Sequence, residues 1–356
     1  MDTVQTIIEF VVAIASLIIV HEVGHFLACR LLGIPVEEFG IGIPPRAITL
    51  FEAKGTKFSL NWLPLGGFVR ARGETDPDVP DGLMAAPAWK RILVFLAGPA
   101  MNLLTAAILF VAIYASVGSM PDRSYVELQE VVEDSPAAIA GFQIDDIILK
   151  IDDEVIDTTG ELKRIIYRNL GVPLEVTYER EGSTATTTVT PLVNPGDNGA
   201  VGIVMGYGEK PFNFLAAIPE GFLSTYDFCR DLIEMIGDLF SGQIPAEEGR
   251  LVGFKGMFDM YSVVRESDAG SHVPAIANVF SFITSISVSL GLFNLLPVPA
   301  LDGGRIAFAL PELILRRRIP QKFELVVNGV SLILLIILML VINLQDFINP
   351  IELPTP

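Results

Sequence analysis

Basic residues are scarce where this chain is most polar. Between Pro121 and Gly270, 11 lysines and arginines stand against 27 aspartates and glutamates, a net charge of −16. That acidic excess excludes a surface built to bind nucleic acid. Charge of either sign is sparse, at 19% of 356 residues, while 51% are hydrophobic and the mean hydropathy is +0.52. Soluble domains are rarely so apolar, so the composition points to a membrane protein. Cysteine is nearly absent, with only Cys29 and Cys229, which excludes a disulfide framework. Histidine is equally sparse, with three in the whole chain. There is no repeat of solenoid type.

What is present is a set of long apolar runs. Four stretches, roughly Val4–Leu32, Ile92–Val117, Val273–Leu296 and Leu325–Leu344, are long enough to cross a bilayer as helices. The first is too long for a signal peptide and lacks a basic flank and a small-residue cleavage site, so it is expected to remain in the mature protein. Residues 33–91 carry Arg46, Lys54, Lys57, Arg70, Arg72, Lys90 and Arg91. The short connection after the third run carries Arg305, Arg316, Arg317, Arg318 and Lys322. Basic residues in short loops mark the cytoplasmic side. The expected protein is therefore multi-pass in the inner or plasma membrane, with the acidic segment and both termini extracytoplasmic. On that topology Cys29 and Cys229 lie in different compartments and stay unpaired.

The expected fold is a polytopic α-helical membrane protein with four transmembrane helices, a membrane-associated β-hairpin and an inserted α+β domain. Its parts run 1–32, 33–91, 92–119, 120–210, 211–272, 273–304, 305–324 and 325–356. In the second part, Phe58, Leu60 and Trp62 alternate with Lys57, Ser59 and Asn61, the period of a half-buried strand. Two or three short strands are expected there, with a turn at "AKGT", 53–56. The fourth part reads as strand "VELQEVV", short helix "SPAAIAGF", strand and turn "IILKIDDEVI", helix "GELKRIIYRNL", and strands "LEVTYER" and "TATTTVTPL". This order resembles a PDZ domain of the circularly permuted, bacterial form. The closing "AVGIVMG" would then be the loop that cradles a peptide's terminal carboxylate. Residues 212–240 read as an amphipathic helix lying on the membrane surface or against that domain.

Chemistry concentrates in "HEVGH", inside the first apolar run. Histidines four apart project from one helix face, which suits two imidazole ligands on one tetrahedral zinc. Glu22 follows the first histidine, where it can take a proton from a water polarised by the metal and pass it to a leaving amine. Buried histidines satisfying backbone groups are the bland alternative. It fits poorly when two of three histidines make one motif in lipid, where ionisable groups are expensive. A third ligand is needed. Glu37 and Glu38 are near in sequence but follow "GIP", outside the helix. Asp302 closes the third run in "GLFNLLPVPALDGG", where Pro297 and Pro299 break the helix and Gly303 and Gly304 permit a close turn. Asp302 could instead cap the helix that follows it. Asn294 could bind a substrate backbone or an oxyanion, or simply bond to a neighbouring helix.

"HEVGH" and "NLLPVPALDGG", with "AGPAMN" (Gly98, Pro99, Asn102) as a weaker third signature, resemble the site-2 proteases, a family of intramembrane zinc metalloproteases. The hairpin, the PDZ-like segment and the helices after it fit in order, so the resemblance covers nearly the whole chain. It implies zinc held by His21, His25 and Asp302, with Glu22 as general base. It implies Asn294 and Pro297 in the substrate-binding segment, and the hairpin around 46–72 close to the substrate and able to pair with it as an added strand. Because an unwound substrate helix leaves backbone groups unpaired, the strand edge around Phe58–Trp62, with Phe58, Ser59 and Leu60, is expected to replace the lost bonds. The implied partners are single-span membrane proteins such as an anti-sigma factor or a remnant signal peptide, cut in regulated intramembrane proteolysis, with a peptide C-terminus at the PDZ domain. Two departures stand out: one PDZ domain rather than two, and a degenerate "LVGFKGMFDMY" (251–261) where many members show a "GPVGI"-like stretch. Two other classes fit parts of the sequence. A catalytically inactive membrane scaffold would use only the PDZ domain. A zinc transporter would need a polar track leading away from the site, and none is visible.

Overall fold

The computed structural model describes residues 3–195, 199–241, 250–266 and 274–350. Parts of the expected 211–272 and 273–304 segments, and the tail from 351, lie outside the described residues. The chain forms two compact units, Gly118–Asn213 and the remainder on either side of it.

The larger unit is helical, with one β-ribbon. Its helices are α1 (Thr3–Leu31), α2 (Ala88–Val117), α5 (Phe214–Ser241), α6 (Phe254–Glu266), α7 (Ala275–Leu295), α8 (Asp302–Leu315) and α9 (Gln321–Ile348). Four of them, α1, α2, α7 and α9, are long and apolar enough to cross a membrane. Helix α2 starts before the expected Ile92. Hydropathy rises only at Ile92, but the helical hydrogen bonds begin at the preceding Pro87, whose carbonyl accepts from the N–H of Lys90.

The ribbon between α1 and α2 departs further from expectation. It consists of two long strands, β1 (Val36–Ala53) and β2 (Thr56–Ala71), paired antiparallel. The turn falls where the sequence put it, at Lys54 and Gly55, both with positive φ. Each strand then folds back on itself. Residues 46–53 register with 56–61, residues 38–41 with 57–60, and residues 36–41 also with 67–71. Phe58, Ser59 and Leu60 therefore stand between two neighbours, and the outer segments are 46–53 and 67–71. Alternation identifies a strand but says nothing about which strand ends on the edge. Glu38 pins the fold-back: it accepts from Ser59 Oγ at 2.7 Å, Arg46 Nε at 2.8 Å and Arg70 Nη1 at 3.2 Å. Burial works to raise its pKa, but the bonds from Arg46 and Ser59 and the two guanidinium charges outweigh this and hold it below the ordinary carboxylate value. Glu38 is thus a brace within the ribbon, and Glu37 is exposed. Around the hairpin end, Ile48, Leu50, Phe51 and Trp62 are exposed, an apolar tip suited to lipid.

The first half of α5 packs on α2, a surface that neither sequence expectation named. Ala217 is fully buried, a Cβ at Gly221 would lie 2.4 Å from the carbonyl oxygen of Ala107, and Ser224 Oγ meets Tyr114 OH at 2.6 Å. Small residues allow this close helix approach. The degenerate 251–261 stretch opens α6 and is capped from α9. Asp346 accepts from the N–H groups of Gly253 and Gly256 and from Arg250, and Asn343 accepts from the N–H of Phe254. A carboxylate suits the unpaired N–H groups of a helix start.

The smaller unit is α+β. It contains β3 (Ser119–Val131), α3 (Pro136–Ile139), β4 (Ile147–Ile151), β5 (Glu154–Val155), α4 (Thr159–Arg168), β6 (Leu174–Arg180), β7 (Ser183–Val189) and β8 (Ile203–Pro211). The sheet order is β7-β6-β4-β3-β8, with β5 on β4. Val126, Leu128, Ile151, Leu162, Leu174 and Val176 form its core. Helix α4 starts with a capping box between Thr158 and Glu161. Arg180 grips buried Asp146 through two bonds of 2.6 Å. The "AVGIVMG" stretch is half turn and half strand, ending in β8 at the sheet edge.

Candidate metal centre

The site is built where α1, α2 and α8 meet. One helical turn separates His21 from His25, and their ring centroids lie 4.8 Å apart. His25 Nδ1 lies 2.8 Å from the carbonyl oxygen of Val94. A carbonyl only accepts, so Nδ1 carries the proton and Nε2 is left with a free lone pair. His21 Nε2 and His25 Nε2 are 3.1 Å apart, and Asp302 Oδ2 lies 3.1 Å from the first and 3.3 Å from the second. Two ligands of a tetrahedral zinc, each at 2.0–2.1 Å, are separated by about 3.3 Å. The three atoms thus form one face of such a polyhedron, and two imidazoles with one carboxylate suit zinc chemically. Among the described residues this is the group of histidine and acidic side chains placed to hold a metal.

The space for an ion is made by an absent side chain. A Cβ at Gly98 of α2 would lie 2.4 Å from His25 Nε2 and 2.6 Å from His21 Nε2. A turn away, Gly24 of α1 faces the carbonyl oxygen of Ala97, which a Cβ would meet at 2.2 Å. The two helices cross on these glycines.

Asp302 reaches the site from the opposite end of the sequence. Helix α7 ends at Leu295, and the chain runs irregularly to α8 with Ala300 at φ 73°. The loop is held from α9: Asn328 Oδ1 accepts from the N–H of Ala300, and Ser331 Oγ donates to the Pro299 carbonyl at 2.6 Å. Gly303 and Gly304 sit so tightly under this loop that a Cβ on either would lie within 2.3 Å of a backbone oxygen. The capping alternative for Asp302 does not hold. Leu301 is the cap residue of α8 and no side chain caps the helix, while the Asp302 carboxylate faces the histidines.

A cavity of about 270 Å³ opens on the site, lined by His21, Glu22, His25, Asn294 and Asp302 and by Phe68, Val69 and Ala71 of the ribbon. Glu74 and Arg305, paired at 2.8 Å, line its far side. Glu22 lies against the outer ribbon segment, where a Cβ at Gly67 would lie 3.3 Å from its Cγ, and it lines the cavity beside Val69. Asn294 lines the cavity, and its Nδ2 donates to the Leu290 carbonyl of its own helix. Pro297 is exposed and does not line it. Phe58, Ser59 and Leu60 do not reach it either; the outer segment 67–71 does. Sequence reasoning missed Val69, Asn328 and Ser331. The last two could have been found as polar side chains in an apolar span.

The model of peptidase family M50 matches residues 9–338. A Clostridium perfringens protein carrying a zinc-metalloprotease name is 36% identical over 97% of this chain and 99% of its own length. Metalloprotease MmpA of Caulobacter vibrioides is 28% identical over 89% of each chain. The regulator of sigma-W protease RasP of Bacillus subtilis is 26% identical over 96% of this chain and 98% of its own. A solved PDZ domain of an SdrC-like protein from Listeria monocytogenes is similar at TM-score 0.21 and 20% identity, covering 23% of this chain and 87% of that one.

Replacing Gly98 by alanine puts a methyl group between the two Nε2 atoms. Zinc retained through purification should fall at least about tenfold relative to wild type, with helical content unchanged by circular dichroism. A Gly98→Ala protein that keeps its zinc would show that the ion does not sit between these imidazoles.

Proposed function

The chain belongs to peptidase family M50 and is a zinc metalloprotease of the site-2 type; from that premise we propose that it cuts a peptide bond within or near the transmembrane segment of a single-span membrane protein. The observation that carries this reading is the triangle of His21, His25 and Asp302 with Glu22 beside it, where the apolar helices α1 and α2 meet the start of α8. His21, His25 and Asp302 would hold the zinc, which when bound supplies Lewis acidity toward a carbonyl and an acidified water. Glu22 takes the proton from the attacking water and returns it to the leaving amine. Asn294 orients the substrate backbone in the cavity.

A transmembrane helix must unwind before its peptide bond can be attacked. Each backbone group left unpaired in hydrocarbon costs several kcal/mol. The outer ribbon segment 67–71 offers N–H and C=O groups along the cavity wall, so an extended substrate can add to it as a further strand. This role falls to Val69 and its neighbours rather than to Phe58, Ser59 and Leu60, whose two sides are already taken.

The distribution of charge supports an orientation with residues 33–91 and 305–324 cytoplasmic and residues 118–213 outside, in the inner or plasma membrane. Residues 118–213 act as a PDZ domain. Strand β8 lies on the sheet edge and approaches α4, the pairing of edge and helix along which a PDZ ligand lies. This domain excludes substrates with bulky outer portions, such as an anti-sigma factor before a first cut.

Elemental analysis tests the core of this. Wild type should carry about one zinc per chain, Asp302→Ala should lose it, and Glu22→Gln should keep it. The same Glu22→Gln protein should cleave a single-span model substrate about 10²–10⁴-fold more slowly. Absence of zinc from folded, zinc-replete wild type would overturn the reading. Val69→Pro removes an N–H from the outer ribbon segment that lines the cavity; zinc should stay and cleavage should collapse, whereas unchanged cleavage would send the substrate to another surface. Deleting 118–213 should allow a substrate with an intact outer domain to be cut. If deletion only slows cleavage, the domain recruits rather than excludes.

A further inference from the structure

Asn102 lies one helical turn beyond Gly98 on α2 and is fully buried. The metal ligands and Glu22 do not account for it. Its side chain meets the ring of His21 on the side away from Asp302, with Nδ2 3.1 Å from His21 Nδ1. Its Oδ1 has no hydrogen-bond partner among the described residues. Its backbone carbonyl accepts from Ser287 Oγ of α7 at 2.8 Å, so the residue is fixed between α1 and α7.

The hydrogen-bond inventory makes this contact informative. A neutral imidazole has one N–H and one lone pair. If His21 turns the lone pair of Nε2 toward an ion, Nδ1 must carry the proton, and its neighbour must be an acceptor. The amide N–H₂ of Asn102 is a donor. It matches Nδ1 only when the proton sits on Nε2, the tautomer that cannot ligate. A half-turn of the amide exchanges Nδ2 with the unpartnered Oδ1 and supplies the acceptor. The companion ligand, His25, already has such an acceptor in the Val94 carbonyl, and no rotation there can change it. His21 is therefore the ligand whose ligating tautomer depends on the orientation of a side chain.

We propose that Asn102 is a positioning residue that sets the tautomer of His21: with Oδ1 toward Nδ1 the imidazole presents its Nε2 lone pair beside His25 and Asp302, and with Nδ2 toward it the lone pair is withdrawn. This rests on the reading of the triangle as a zinc site. It gives the "AGPAMN" stretch two functions one turn apart, space at Gly98 and polarity at Asn102.

Zinc affinity under competition with a calibrated chelator tests it, since it needs no substrate and no turnover. The set is wild type, Asn102→Ala, Asn102→Leu and Asn102→Asp, each checked for folding by thermal melting in detergent. Aspartate keeps the size and is an acceptor in every rotamer; leucine keeps the bulk and accepts nothing. Alanine and leucine should each weaken zinc binding by about 10–100-fold, and aspartate should bind within a fewfold of wild type or more tightly. Leucine at wild-type affinity, or aspartate as weak as alanine, overturns the proposal and leaves Asn102 as packing. Wild type without zinc overturns both this inference and the zinc reading. Wild-type zinc with the wrong order among variants overturns this one alone.

Discussion

Between α1 and α2 there is no room for a methyl group at two successive points. Gly24 backs onto the Ala97 carbonyl, and Gly98 lies against both imidazole Nε2 atoms. This close crossing is the constraint on which the site depends. It brings the Val94 carbonyl to His25 and the Asn102 side chain to His21, so that one helix supplies the rings and the next supplies their hydrogen-bond partners. It also sets the depth at which α8 must deliver Asp302. Any side chain at 98 would fill the space that the donor triangle encloses. Helices in lipid gain little from apolar contact with each other, so close backbone approach and a few internal hydrogen bonds must hold them.

Those bonds recur wherever the backbone leaves the helix. The loop from Leu296 to Leu301 would expose carbonyls and an N–H in an apolar setting. Asn328 and Ser331 of α9 take up two of them. At the other end of α9, Asn343 and Asp346 satisfy the first N–H groups of α6. The ribbon follows the same logic with its own strands, and Glu38 with Ser59 and two arginines fastens the fold-back. Unpaired backbone in hydrocarbon is too costly to leave, and Asn328, Ser331, Asn343 and Asp346 each mark a place where irregular backbone is being completed.

This explains what could be read from sequence. The helix spans were legible because apolar length is a local property. The turn at Lys54 and Gly55 was legible for the same reason. "HEVGH" places three functional side chains on one turn of one helix, so its geometry is written in its spacing. Asp302 was found through the irregularity around it, two prolines and two glycines at the end of an apolar run. The outer segment of the ribbon was not legible. Strand periodicity is identical for Phe58–Leu60 and for a strand at the edge, and only the long-range register of 36–41 with both 57–60 and 67–71 separates them. The seating of α5 on α2 was hidden because Ala217 and Gly221 look like gaps in an amphipathic pattern when they are the contact itself.

Helix α9 shows how these two kinds of information combine. Its middle, from Leu332 to Val341, is largely exposed in the structure and strongly apolar, which by itself describes a helix facing lipid. Its polar residues lie outside that run, Asn328 and Ser331 among those on one side and Asn343 and Asp346 among those on the other. Each pair reaches a different irregular segment: the loop that carries Asp302, and the start of α6 after the degenerate 251–261 stretch. The helix is thus tied to the rest of the unit by hydrogen bonds at two levels rather than by a packed seam. A purely apolar helix of the same length could cross the membrane equally well, but it could not complete the backbone that delivers the third ligand.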